Sequence, residues 1–123
     1  MQDNHEKEEK EIRWIGSSYD DLLAFPQEPR KKAGFQLGKV QAGLDPEDWK
    51  PFDDVGAGTK EIRIKDSQGI YRVMFVAKFE EAVYVLQCFQ KKTQTTTQHN
   101  MTKASQRRVT ALLCGKERSK NDD

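Results

Sequence analysis

Three short apolar runs in the second half of the chain constrain its fold more than any other feature: Lys60-Glu61-Ile62-Arg63-Ile64-Lys65, Tyr71-Arg72-Val73-Met74-Phe75-Val76 and Val83-Tyr84-Val85-Leu86-Gln87-Cys88-Phe89-Gln90. Branched and aromatic residues dominate each run, which suits a β-strand. The links Asp66-Ser67-Gln68-Gly69 and Lys78-Phe79-Glu80-Glu81 leave room only for hairpins, so the three form an antiparallel meander. Each run also carries cations: Arg63, Arg72, and the Lys91-Lys92 pair that follows the third. Strand side chains alternate between faces, so a cation within such a run either faces solvent or is placed for a task. Pairing of neighbouring strands would bring Arg63, Arg72, Lys91 and Lys92 to one small area, as a phosphate or a phosphodiester transition state requires.

Ahead of the meander, Ile12-Arg13-Trp14-Ile15 reads as a first strand broken by Gly16. Ser18 and Asp21 fit a capping box before Leu22, Leu23 and Phe25, and Pro26 ends that short helix. Pro29 suits the first turn of a second helix, with Ala33, Leu37, Val40 and Leu44 at helical spacing and Gly43 as its stop. Gly34 and Gly38 each cost that helix ~1 kcal/mol relative to Ala. Their shared face predicts close packing against another element. Asp45 to Gly58 reads as irregular, interrupted by Pro46, Pro51 and Gly56-Ala57-Gly58, with Trp49 and Phe52 as anchors to the core. After the meander, Thr93 to His99 reads as a polar loop. Asn100 or Thr102 would cap a final helix carrying Met101, Ala104, Arg108, Ala111 and Leu112. The order β-α-α-β-β-β-α predicts an α+β domain: a small, mostly antiparallel sheet of about four strands, with two N-terminal helices and one C-terminal helix on one face.

A length of 123 residues suits one domain with its own core. Its apolar residues place that domain at residues 12–113, between a flexible acidic tail (1–11) and a flexible polar tail (114–123). Removing Met1 to Lys10 is expected to change stability little, since that segment has almost nothing apolar to bury. The formal net charge of +1 conceals an asymmetry. The start of the chain is acidic, whereas Lys91, Lys92, Lys103, Arg107 and Arg108 make the part after Phe89 basic. Such a segment suits nucleic acid, or is simply a solvated charged face. No apolar stretch approaches the ~20 residues that span a bilayer, so a soluble, cytoplasmic protein without a membrane partner is expected. Cys88 and Cys114 show no paired spacing, and His5 and His99 are the only histidines. Neither a metal site nor a cofactor is expected from these residues.

Several of these pieces occur together in a known arrangement: Gly34-Phe35-Gln36-Leu37, Gln41-Ala42-Gly43, Glu61-Ile62-Arg63-Ile64, Tyr71-Arg72-Val73, Phe89-Gln90-Lys91-Lys92-Thr93, and a late helix with Ala104 and Arg107. In combination they resemble the RelE/HigB superfamily of bacterial toxins, in its phage-derived HigB-like branch, over about Ile12 to Arg108. The resemblance implies the toxin half of a type II toxin-antitoxin pair, a metal-independent endoribonuclease that cleaves mRNA on the ribosome. It also implies a cognate antitoxin, commonly one with a helix-turn-helix DNA-binding domain. Carried onto this chain, the strand arginines of the family are Arg63 and Arg72, and its basic pair is Lys91 and Lys92. Where relatives carry a tyrosine or histidine near the last helix, this chain has His99, and the proline common before that helix is missing.

The residue types suit the chemistry. A ribonuclease without metal uses the substrate's 2'-hydroxyl as nucleophile and must stabilise a dianionic phosphorane, which guanidinium and ammonium groups do. A lysine among other cations has its pKa lowered, making Lys91 or Lys92 a candidate base, and His99 a candidate acid. Lys60, Tyr71, Arg107 and Arg108 are candidate RNA contacts, with Tyr71 stacking on a base. Plainer roles stand beside these. Arg63 could pair with Glu61 or Asp66, Arg72 with Glu80 or Glu81, and Tyr71 could fill the core. Two other functions remain open on the same fold: a ParE-like gyrase-binding toxin, and a non-catalytic phage-derived binding protein.

Overall fold

The computed structural model describes residues 9–91 and 98–121, with side chains for 9–90 and 99–113. Its elements run β1 (Glu11–Trp14), α1 (Ser18–Leu23), α2 (Gln27–Gln41), β2 (Trp49–Pro51), β3 (Thr59–Asp66), β4 (Gly69–Val76), β5 (Ala82–Lys91) and α3 (Gln98–Asn121). The α+β architecture is the expected one. The meander β3-β4-β5 forms as its short links require, with Asp66 opposite Gly69 at the first hairpin. Gly69 sits at φ 139°, a conformation that favours glycine there.

Among the described residues the sheet has five strands in the order β1-β5-β4-β3-β2, one more than expected. The extra strand, β2, lies in the stretch read as irregular. It spans only three residues, ends in Pro51 and pairs antiparallel with Lys60 to Ile62 of β3. A proline is tolerated there because β2 is an edge strand. β1 joins the opposite edge and runs parallel to β5, from Glu11 opposite Ala82 to Trp14 opposite Val85. The α1–α2 excursion therefore separates the first strand from the rest.

Helices cover both faces of the sheet, not one. On the first face α1 and α2 bury Leu22, Phe25, Ala33, Leu37 and Val40 against Ile62, Ile64, Tyr71, Val73, Phe75, Val83 and Val85. On the second face α3 brings Ala104 and Ala111 onto Met74, Val76, Tyr84 and Leu86, with Val55 beside them. The sequence does carry a sign of this, since β4 and β5 are apolar at both odd and even positions, the pattern of strands covered on two sides.

Other local expectations change for physical reasons. Ser18 does not cap α1. Its hydroxyl donates to the Val85 carbonyl at 3.1 Å, and Ser17 donates to Asp21 Oδ2 at 3.1 Å instead. Gly34 and Gly38 do share a face, but a Cβ at either would meet nothing within 4 Å, so no element packs closely there. Lys10, expected to be part of a loose tail, is tied down. Its N–H donates to the Gln41 carbonyl, its carbonyl accepts from Gln41 Nε2 at 2.7 Å, and its ammonium donates to the Ala77 carbonyl at 3.0 Å. At the other end α3 continues past Leu113 to Asn121, into the stretch read as a tail. No helix of the described residues is long and apolar enough to cross a membrane.

Candidate functional site

The register of β3 and β4 decides which cations meet. Arg63 and Arg72 are direct cross-strand partners, so both side chains start from the second face of the sheet, the side on which α3 packs. Phe89 of β5 stands opposite Arg72, and Lys91 is two positions further on, opposite Ile70. The side chain of Lys91 and all of Lys92 lie outside the described residues. The two arginines are thus brought together, in very different surroundings.

Arg72 is 5% exposed and donates through Nη1 to Glu61 Oε1 at 2.5 Å, and Glu61 itself is fully buried. Glu61 and Arg72 are diagonal neighbours, since Glu61 lies two residues before Arg63 on the same face. Lys50 of β2 approaches the same Glu61 oxygen from 4.0 Å. Arg63 is half-buried and donates through Nε and Nη2 to Asp48 Oδ1, at 3.1 and 2.8 Å. The partners weighed from the sequence, Glu61 or Asp66 for Arg63 and Glu80 or Glu81 for Arg72, are therefore replaced by Asp48 and Glu61. Glu61-x-Arg63 spacing carried a legible signal for the second pair once the strand register was known. Asp48 carried none, because it precedes a strand the sequence does not announce.

Two further candidates are on the opposite face. Tyr71 is 3% exposed and packs its ring on Phe25, with centroids 4.8 Å apart. It belongs to the core beneath α1 and α2 and offers no face to a base, which corrects its assignment as an RNA contact. Lys60 lies opposite Phe75 and holds its ammonium 4.7 Å from the Trp49 ring centroid, away from Arg63 and Arg72. Its cation is engaged in a cation–π contact.

The remaining candidates sit on α3. His99 is exposed in the first turn, beside Asn100, whose Oδ1 accepts from Gln87 Nε2 at 2.5 Å. That bond brings the start of α3 to the arginine-bearing face of the sheet. Arg107 and Arg108 prove to be structural latches. A bulge leaves Leu86 without a partner on β4, since Met74 pairs with Gln87 and Phe75 with Val85. Arg107 takes up the Leu86 carbonyl at 2.9 Å and reaches Ser17 Oγ at 3.0 Å. Arg108 donates to the Ala57 carbonyl at 2.8 Å. Each guanidinium lies where a glycine leaves room: a Cβ on Gly16 would come within 2.6 Å of Arg107, and one on Gly56 within 2.4 Å of Arg108. Their assignment as RNA contacts gives way to this intramolecular role.

Chemically, the face presents charged side chains in the order Lys50, Glu61, Arg72, Arg63 and Asp48, with the two arginines adjacent and each held by its own carboxylate. An incoming phosphate would meet Arg63 first, because it is the more accessible of the two arginines and its pair with Asp48 is a surface pair worth only ~0–1 kcal/mol. Arg72 lies deeper, its charge balanced by Glu61, a partner that water does not reach. Among the described residues the strongly perturbed ionisable group is elsewhere: burial, followed by the nearby Asp21 charge, pushes the Cys88 thiol well up, while Arg107 opposes both. Cys88 therefore stays a thiol and offers no nucleophile.

A model of the family described as phage derived protein Gp49-like (DUF891) matches residues 20–109, from α1 into α3. No curated protein matches the sequence. Among solved structures, a chain of the toxin-antitoxin complex RelBE2 from Mycobacterium tuberculosis is similar in fold, with a TM-score of 0.50 and 21% identity. The likeness covers 68% of the present chain and 99% of that one.

Proposed function

The chain belongs to the phage-derived Gp49-like family of RelE-like proteins, and on that premise we propose that it is the toxin of a type II toxin-antitoxin system, acting as a metal-independent endoribonuclease on mRNA. The observation that carries this reading is the cross-strand pairing of Arg63 with Arg72 beside the end of β5. In the reaction, the 2'-oxygen of the RNA attacks the adjacent phosphorus and gives up its proton to a base. The 5'-oxygen then leaves with a proton, and a 2',3'-cyclic phosphate remains. Arg63, with Arg72 behind it, stabilises the charge that builds on the phosphorane. Lys91 or Lys92 is the proposed base and His99 the proposed acid. An antitoxin with a helix-turn-helix domain is the proposed partner, the ribosome the proposed setting and the cytoplasm the proposed location.

The test is a map of transcript ends after induced expression, for the parent and for Arg63→Ala. The parent should produce discrete cuts within translated messages. Arg63→Ala should reduce them at least tenfold, the loss of about 1.4 kcal/mol of transition-state stabilisation, with the thermal midpoint nearly unchanged because only a surface ion pair is lost. Growth arrest without cuts would refute the nuclease. A second reading, a toxin or binding protein that acts without catalysis in the manner of the gyrase-directed ParE toxins, is favoured by one observation: both arginines are already held by carboxylates, Asp48 and Glu61.

A further inference from the structure

The outer edge of β3 is only partly covered. Strand β2 covers that edge only as far as Ile62, and the Arg63 N–H is taken by the Asp48 carbonyl. Between the rest of the edge and α2 opens a cavity of about 470 Å³, lined by the apolar Phe35 and Ile64 and by Lys31, Lys32, Arg63 and Lys65. Its size lies within the range of ~300–1,000 Å³ usual for small ligands.

Its chemistry is selective. Phe35 is 61% exposed, on a helix whose other large apolar residues, Leu37 and Val40, are buried. Lys31, Gly34, Phe35 and Gly38 recur at helical spacing along the outside of α2. The two glycines add no side chain that would wall off the ring, which is approached by the Lys39 ammonium at 5.4 Å from its centroid and is otherwise open. The two carboxylates in the lining are already engaged, Glu47 by Lys39 at 3.2 Å and Asp48 by Arg63 at 2.8 Å. Lys32 donates to the Lys65 carbonyl at 3.2 Å and stands 3.9 Å from Asp66. Lys31 and Lys65 have no ion pair among the described residues, and both are exposed. An accessible aromatic ring flanked by unpaired ammonium groups is how proteins hold single-stranded nucleic acid, with the base on the ring and the phosphates on the cations.

We propose that this cavity is a subsite for one unpaired ribonucleotide of an RNA strand, its base stacked on Phe35 and its flanking phosphates held by Lys31 and Lys65. The proposal deepens the ribonuclease reading and rests on it. Arg63 lines the cavity and also belongs to the arginine pair, so a strand gripped at Arg63 passes over the β3 edge directly into the subsite. The subsite would fix which stretch of the RNA lies across the arginines.

The test is fluorescence anisotropy of the full chain with a labelled single-stranded RNA of about twelve nucleotides, a length within the footprint of small binding domains. Every ribose carries 2'-O-methyl so that the strand cannot be cut. Phe35→Ala should weaken binding about tenfold, a stacking loss of ordinary size. The double variant Lys31→Ala/Lys65→Ala should make the slope of log affinity against log salt shallower by about 1.4, as expected for two lost phosphate contacts on a single strand. Thermal midpoints should stay put, because all three side chains are exposed. If both variants bind like the parent while Arg63→Ala does not, the subsite is wrong and the ribonuclease reading survives. If the parent binds no RNA, the subsite falls, while the ribonuclease reading, set on the ribosome, is judged by the map of transcript ends. If the variants lose only antitoxin affinity, the cavity belongs to a protein partner and the proposal falls.

Discussion

Replacing Arg72 by alanine would weaken the fold before it reported on catalysis. Were Arg72 only a phosphate ligand in a strand, its removal would cost toxicity and leave folding normal. Burial overturns it: Arg72 is 5% exposed and its partner Glu61 is not exposed at all. Removing the guanidinium strands a carboxylate out of reach of water, which typically costs ~3–5 kcal/mol. Lys50, 4.0 Å from the same oxygen, offers partial relief, so the lower end, about 3 kcal/mol, is the expected loss. Against the ~5–15 kcal/mol of an ordinary domain that is a large share. The double variant Arg72→Met/Glu61→Leu removes both charges and keeps the volume, and should recover most of the loss. Urea unfolding of the parent, Arg72→Ala, Glu61→Leu and the double variant gives the coupling between the two positions, expected above about 2 kcal/mol. A loss under about 1 kcal/mol for Arg72→Ala, the same with Glu61 present or absent, would show that water or Lys50 already satisfies the carboxylate, and the argument would fail.

Other consequences are quick to check. Gly34→Ala or Gly38→Ala should each stabilise the fold by about 1 kcal/mol, raising the thermal midpoint by about 4 °C, because the added methyl meets open space. A midpoint that falls would mean that α2 does pack there. A chain starting at Glu11 should be about 2 kcal/mol less stable to urea than one starting at Glu9, since it loses the bonds of Lys10 to Gln41 and Ala77. Equal stability would show those bonds to be idle. Peptide mass mapping after iodoacetamide at pH 8 should find Cys88 unmodified in the folded protein. A folded-state thiol pKa above its unfolded value means stability that is present at neutral pH and is lost as pH rises beyond about 8.5. A denaturant midpoint that shows the same alkaline fall in Cys88→Ala would assign that loss to another group.

What could be read from the sequence follows how much each residue's neighbours along the chain determine its surroundings. The meander was legible because Ile62, Val73 and Val85 lie in runs joined by links too short for anything but hairpins. Helix α2 was legible because Ala33, Leu37 and Val40 repeat at one spacing. Strand β2 was not, because three residues ending in Pro51 carry no periodicity and take their strand geometry from β3. The meeting of Arg63 with Arg72 was legible as soon as the hairpin placed them opposite each other. Their anions were only half so. Glu61 is local to the motif, whereas Asp48 arrives through the unannounced strand. Tyr71 misled because an aromatic residue beside an arginine looks the same in a sequence whether it points to solvent or to α1. Arg107 and Arg108 misled for a related reason: a basic helix gives no hint that glycines at positions 16 and 56 have left seats for its guanidinium groups.

Those two seats bear on the order in which the chain is synthesised. The apolar patch of Met74, Val76, Tyr84 and Leu86 is finished long before the arginines that clamp its cover leave the ribosome. A nascent or truncated chain ending ahead of Ala104 would present that patch bare, prone to stick to other chains. The domain closes only when its last described helix arrives.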